Sequence, residues 1–201
     1  DSFLLNVPAV KEMLDALKEN GIEYKTYAGI VPDPPASVIN KGAEEMAEFN
    51  ADSVIAIGGG SSLDSAKGIN IVASDGGKIE DYVKDESLIH DLKTLISIPT
   101  TAGTGSEMSN ALVVTDEKTE EKNAILSDKM LSDYALLIPE LTVSLPERQT
   151  IASGLDAFSH AAEGYLSTLS SPVADAISEK IMFLLYNYLP GAVHDGKNIE
   201  M

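Results

Sequence analysis

Residues 54–68 read Val54-Ile55-Ala56-Ile57-Gly58-Gly59-Gly60-Ser61-Ser62-Leu63-Asp64-Ser65-Ala66-Lys67-Gly68. Residues 54–57 form a short apolar run of the kind that makes a buried strand, and residues 61–74 carry Leu63, Ala66, Ile69 and Ile71 at helical spacing. Between them, Gly58, Gly59 and Gly60 can take backbone angles that other residues resist and let a ligand come close to the main chain. The unpaired amides and the dipole at the start of the helix attract an anion. This strand, turn and helix predict a cradle for phosphate.

Working outward from this turn gives the fold class. Upstream, Asn6 can cap a helix with Pro8 in its first turn, striped by Val10, Leu14 and Leu17 and closed by Gly21. Residues 22–27 alternate as a strand does, the prolines at 32, 34 and 35 force a loop, and residues 36–49 make a second helix. Downstream, Asp75-Gly76-Gly77-Lys78 closes the third helix, an acidic and solvated connector holds His90, and residues 95–98 form another apolar strand. Alternating strands and helices of this kind predict an α/β fold with an open, mostly parallel sheet that carries ligands at the carboxyl ends of its strands. Residues 111–115 and 122–127 read as a hairpin, and residues 134–138 as one more strand. Beyond Pro146 the pattern becomes helical, over 150–169 and 172–189, which places a boundary near Ser144 to Glu147.

Composition narrows the partners. With 14 Lys and Arg against 32 Asp and Glu, the net charge of −18 repels a nucleic-acid backbone. The absence of cysteine excludes disulfides, Cys-ligated zinc and thiol nucleophiles, and fits a reducing compartment. No run of eighteen apolar residues and no signal-like start is present, so the expected setting is the cytoplasm, without a membrane partner.

Two further motifs carry chemistry. The strand at 95–98 runs into Pro99-Thr100-Thr101-Ala102-Gly103-Thr104-Gly105-Ser106-Glu107, a second turn dense in hydroxyls and glycine. Two such turns can grip one ligand, hydroxyls and amides reaching a pyrophosphate or a ribose; each taken alone also reads as an ordinary loop rich in turn formers. In Gly154-Leu155-Asp156-Ala157-Phe158-Ser159-His160-Ala161-Ala162-Glu163, Asp156 and His160 stand four residues apart and share a helix face. A carboxylate and an imidazole there are two potential ligands for one divalent ion, or a surface ion pair.

The three motifs, in this order and at this separation, resemble the iron-containing, or group III, alcohol dehydrogenases. The resemblance implies an NAD(P)-binding α/β domain over residues 1–146, N-terminally incomplete, followed by the start of an all-helical metal-binding domain over 147–201, an architecture shared with the dehydroquinate synthases. It places the cofactor, NAD or NADP, against Gly59, Gly60, Ser61, Asp64, Thr100, Thr101 and Thr104, with Lys122 at the nicotinamide ribose. It makes Asp156 and His160 the first two ligands of Fe²⁺ or Zn²⁺. The implied reaction is hydride transfer between a small alcohol and its aldehyde or ketone, with the ion lowering the proton affinity of the substrate oxygen. It also implies a homo-oligomer.

Some positions depart from the family pattern. Asp33 stands where many members have Asn in a Pro-Asn-Pro turn, and Ile138 where they commonly have Asp before Pro. Members carry a further strand and helix ahead of the position of Asp1, and two more histidine ligands beyond that of Met201; His90 and His194 match neither and read as exposed loop residues. Two alternatives stay open: a catalytically inactive nucleotide-binding fragment, and a lyase of the dehydroquinate synthase type, whose glycine and threonine motifs differ from those found here.

Overall fold

The computed structural model describes residues 2–143 and 145–200; of the boundary expected at 144–147, Ser144 lies outside the described residues. β1 (Ser53–Gly58) delivers the chain into α3 (Gly60–Asp75). Gly58 has φ +151°, and a Cβ there would meet Ser62 Oγ at 2.4 Å, so conformation and space both demand glycine. β1 pairs in parallel with β2 (Thr94–Pro99), Ser53 opposite Thr94 and Gly58 opposite Pro99. β2 in turn pairs in parallel with β5 (Tyr134–Ala135), giving the order β1-β2-β5. Parallel neighbours need a crossover, and α3 supplies it. The chain adopts the α/β class with a parallel sheet.

α3 is buried over most of its length, from Leu63 through Val72. Polar side chains survive in such a helix only when paired, and those at 64, 67 and 70 lie successively one turn apart. Asp64 Oδ2 accepts from the Val113 amide at 3.0 Å. Lys67 Nζ donates to the carbonyls of Ser109 at 2.7 Å and Ala111 at 2.8 Å. Asn70 donates to the Lys93 carbonyl at 2.7 Å and accepts from its amide at 3.1 Å. The ridge therefore fastens the entry of β2 and both the entry and the middle of β3 (Ala111–Thr115) to one helix.

α2 (Ala36–Phe49) packs on α3 at two glycines: a Cβ at Gly42 would lie 2.4 Å from Ile69 Cδ1, and one at Gly68 2.9 Å from Ile39 Cγ2. Around this crossing, Ile39, Ile71, Ile79, Leu112 and Ile125 form the main core. β3 pairs antiparallel with β4 (Lys122–Leu126), as the hairpin reading expects, in a separate two-stranded sheet. The Thr115 amide donates to the Pro34 carbonyl at 3.0 Å, which clips this hairpin to the proline loop.

The chain divides into two compact units, one running to Pro99 and resuming over Ser106–Leu137, the other made of Thr100–Gly105 and the residues from Ile138 onward. In the second, α5 (Glu147–Leu166) and α6 (Pro172–His194) pack together, with Leu189 so close to Gly154 that a Cβ there would lie 2.4 Å from Leu189 Cδ1. The Ser171 hydroxyl accepts from the Ala174 amide at 3.2 Å and caps α6, whose first residue is Pro172. Among the described residues no helix is long and apolar enough to cross a membrane.

Several expectations are corrected. Residues 22–27 are not a strand: α1 (Pro8–Glu19) ends in a turn at Gly21 with φ +72°, and the segment then runs beside β1 without a ladder. Two hollows of about 180 and 250 Å³ lie between them, both lined by Lys25 and Tyr27 on one side and by Ser53, Ile55 and Ile57 on the other. A strand is defined by a bonded partner, and here the spacing leaves none. The N-cap of α1 is Val7 rather than Asn6, because Asn6 closes a 3-10 turn, Ser2–Asn6. The strand expected over 134–138 shortens to two residues, since Pro139 opens a 3-10 turn, Pro139–Leu141. The acidic connector is not simply solvated: it forms α4 (Ile79–Lys84), which buries Ile79 and Tyr82. His194 is the last residue of α6 and not a loop residue, because that helix continues through Pro190.

Candidate functional site

The glycine turn puts Gly59 at the N-cap of α3 and Gly60 and Ser61 in its first turn. No side chain caps this end, so first-turn amides that a helix cannot satisfy internally remain for a ligand. Gly59, Gly60 and Ser61 are all half-buried, and the Ser61 carbonyl is taken by the Ser65 hydroxyl at 2.7 Å.

Asp64 follows one turn later. Its Oδ2 is held by Val113, whereas Oδ1 is buried with no hydrogen-bond partner. Burial raises the Asp64 carboxyl above the ordinary carboxylate range, and the Val113 amide, the Ser106 hydroxyl and the Lys67 ammonium oppose the rise. The Ser106 hydroxyl is thus close enough to act on the carboxylate without satisfying Oδ1. A buried carboxylate oxygen without a donor is costly, and a hydroxyl or amide of a ligand would satisfy it. The uncapped helix start and this orphaned acceptor fit a group that carries both phosphate and hydrogen-bond donors, as a dinucleotide does.

The second turn belongs with the helical unit. Thr100 is buried at the end of β2, Thr101 is half-buried and Thr104 is exposed. A Cβ at Gly103 would lie 2.7 Å from the Ser153 carbonyl oxygen, so this turn rests directly on the α5 backbone. Lys122, at the start of β4, pairs with Asp33 at 2.6 Å, both side chains being exposed. Asp33 itself has φ +50°, a conformation that Asn and Asp tolerate better than most residues.

On α5, His160 Nε2 lies 3.7 Å from Asp156 Oδ1, with side-chain exposures of 56% and 41%. The two donors face the same way and suit a divalent ion. Among the described residues no group of three or more His, Cys, Asp or Glu is placed to hold a metal, so the pair is part of a site and not a complete one. His90 is exposed beside Asp75, at 3.6 Å.

Reading the sequence missed Lys67. It is fully buried, and burial lowers its ammonium pKa while Asp64 and Glu107 raise it. The one local sign is that Lys67 lies three residues after Asp64 in a helix that also carries Leu63, Ala66, Ile69 and Ile71; its burial is set by residues far along the chain.

Comparison with known proteins agrees with these elements. The family described as iron-containing alcohol dehydrogenase matches residues 1–139. The C-terminal part of the Fe-containing alcohol dehydrogenase family matches residues 150–201. The chain is 38% identical over 200 residues to the NAD-dependent methanol dehydrogenase of Bacillus methanolicus, covering 100% of this chain and 52% of that protein. The crystal structure of 1,3-propanediol oxidoreductase superposes with a TM-score of 0.94 at 34% identity, over 100% of this chain and 52% of that one. That of sulfoacetaldehyde reductase from Bifidobacterium kashiwanohense in complex with NAD+ does so with a TM-score of 0.90 at 30% identity, over 98% and 52%. The chain spans about half the length of these relatives. With family matches over both of its parts, in chain order, the chain belongs to the iron-containing alcohol dehydrogenase family.

Proposed function

We propose that the protein is an NAD(P)-dependent, metal-assisted alcohol dehydrogenase that interconverts a small alcohol and its aldehyde or ketone by hydride transfer. The observation that carries this reading is the uncapped start of α3 beside the orphaned Asp64 Oδ1. In this reading residues 1–146 form the nucleotide-binding domain and residues 147–201 begin a helical metal-binding domain.

The Gly60 and Ser61 amides hold the pyrophosphate, with Gly59 giving it close access to the backbone. Asp64 Oδ1 accepts from a ribose hydroxyl or the carboxamide, which orients the nucleotide. Thr100, Thr101 and Thr104 supply hydroxyls along the cofactor, and Lys122 donates to the nicotinamide ribose after exchanging its bond to Asp33. The nicotinamide supplies the hydride-transferring carbon. Asp156 and His160 hold Fe²⁺ or Zn²⁺, which supplies Lewis-acid polarisation of the substrate oxygen. The cofactor in this reading is NAD or NADP, since relatives named NAD-dependent methanol dehydrogenase and NADPH-dependent butanol dehydrogenase stand at similar identity. Association of copies through the exposed Phe183, Leu184 and Tyr188 of α6, in a reducing compartment such as the cytoplasm, completes the reading.

The two-donor set on α5 favours a second reading, a nucleotide binder without turnover. NADH titration followed by fluorescence, then aldehyde-dependent NADH and NADPH oxidation with added Fe²⁺ or Zn²⁺, separates the two. Binding with turnover supports the dehydrogenase, and binding alone supports the second reading. Gly60→Val, which crowds the first-turn amides, should weaken NADH binding at least about tenfold; unchanged affinity would remove the glycine cradle from the mechanism.

A further inference from the structure

We propose that Asp33 is a positioning residue that competes with the bound nucleotide for Lys122: its carboxylate parks the Lys122 ammonium on the proline loop and thereby sets how tightly the cofactor is held. The proposal rests on the dinucleotide reading above, in which Lys122 donates to the cofactor.

The geometry begins with the loop. Asp33 stands between Pro32 and Pro34, whose rings fix their own backbone angles, and itself has φ +50°. This loop is fastened to the β3–β4 hairpin from several sides. The Pro34 carbonyl accepts from the Thr115 amide at 3.0 Å and the Asp33 carbonyl from the Thr115 hydroxyl at 3.2 Å. The Glu117 carboxylate accepts from the Ser37 amide at 3.2 Å and from its hydroxyl at 2.9 Å. Thr115 is the residue opposite Lys122 in the ladder, so these bonds bring the Asp33 carboxylate to the Lys122 ammonium, at 2.6 Å. They also keep the Asp33 backbone where it is when the ammonium leaves.

The hairpin ties this pair to the cradle. Val113, whose amide holds Asp64 Oδ2, lies opposite Ala124, which makes Lys122 its diagonal neighbour across the ladder, about 7–8 Å away. A nucleotide that satisfies the free Oδ1 of Asp64 therefore comes within the range of a lysine side chain at position 122. Its ribose hydroxyls and phosphates are acceptors for that ammonium, but taking it leaves Asp33 without its ion partner. Both side chains are more than half exposed, at 58% and 65%, so water replaces the lost partner and the penalty stays that of a surface pair. In affinity this amounts to about two- to fivefold.

The test uses the whole chain and NADH titrations followed by fluorescence, in wild type, Asp33→Asn, Lys122→Met and the double variant, at low salt and in about 1 M KCl, where the screening length falls to about 3 Å. Asn tolerates the backbone angle of Asp33 and removes only the charge. At low salt Asp33→Asn should tighten NADH binding about two- to fivefold. In high salt its affinity should converge on that of wild type, which a change of loop shape would not produce. In the Lys122→Met background the same substitution should have no effect, because the contest is over the ammonium. Unchanged or weaker binding in Asp33→Asn at low salt overturns the competition. Equal tightening with and without Lys122 also overturns it, and assigns Asp33 a direct repulsion of the cofactor phosphates instead. Wild-type affinity in Lys122→Met takes Lys122 out of the cofactor site, and the proposal with it. Absence of NADH binding in the wild type is a separate result, which overturns the dinucleotide reading on which the proposal stands.

Discussion

Asp156 and His160 show how much a residue's meaning depends on its neighbours. As an exposed pair at 3.7 Å they contribute at most about 1 kcal/mol to stability, so nothing in folding alone requires them. As metal ligands each is decisive. His160→Ala and Asp156→Asn should therefore each lower bound Fe²⁺ or Zn²⁺, measured by elemental analysis, by at least about tenfold, with unfolding midpoint and NADH affinity unchanged. Metal retained at the wild-type ratio would take the residue out of the site. The sequence makes this pair visible because four residues separate one helix turn from the next. Lys67 was harder to read: its environment is made by β3, more than forty positions later, and no local spacing announces that a lysine will be buried against Ser109 and Ala111. Asp33 is a similar case, since its partner Lys122 comes from a distant strand.

At the scale of elements, the reading was best where a local pattern defines the element. α2 and α3 follow from helical apolar spacing ended by Asn50 and Gly76, and the hairpin from two apolar runs either side of an acidic turn. It failed for residues 22–27, where alternation is right but the bonding neighbour is missing, and for β5, cut short by Pro139. Packing between elements was not legible at all, because glycines inside a helix look like defects in sequence. Gly42 shows their use. Alanine there would gain about 1 kcal/mol of helix propensity, but its Cβ would lie 2.4 Å from Ile69 Cδ1 and 2.9 Å from Tyr27 Cε1. Overpacking of that kind costs about 1–3 kcal/mol, so with the propensity gain offset Gly42→Ala should lower stability in urea by up to about 2 kcal/mol. Gly164 in α5 is the contrast, since its nearest neighbour would be Ser178 Oγ at an ordinary 3.4 Å. Gly164→Ala should be neutral or stabilising by up to about 1 kcal/mol. Equal effects at the two sites would contradict the packing account.

For the molecule as a whole, a charge of −18 opposes indiscriminate aggregation at neutral pH, while among the described residues one side of β1 has no strand paired to it. Along that side run the two hollows lined by Ser53, Ile55 and Ile57, and among the described residues no strand pairs with its backbone donors and acceptors. Repulsion and an open ladder pull in opposite directions, and pH decides between them. As carboxylates take up protons toward about pH 4, the repulsion fades while the ladder stays. A strand edge without a ladder is a template wherever the segment 22–27 beside it gives way: each copy added to it presents the next, and growth becomes seeded rather than random. Light scattering and thioflavin fluorescence should therefore rise steeply between neutral pH and about pH 4, sooner when preformed aggregate is added. Ile55→Lys, a charge set on the template itself, should delay that onset; an unchanged onset would place the growing surface elsewhere on the molecule.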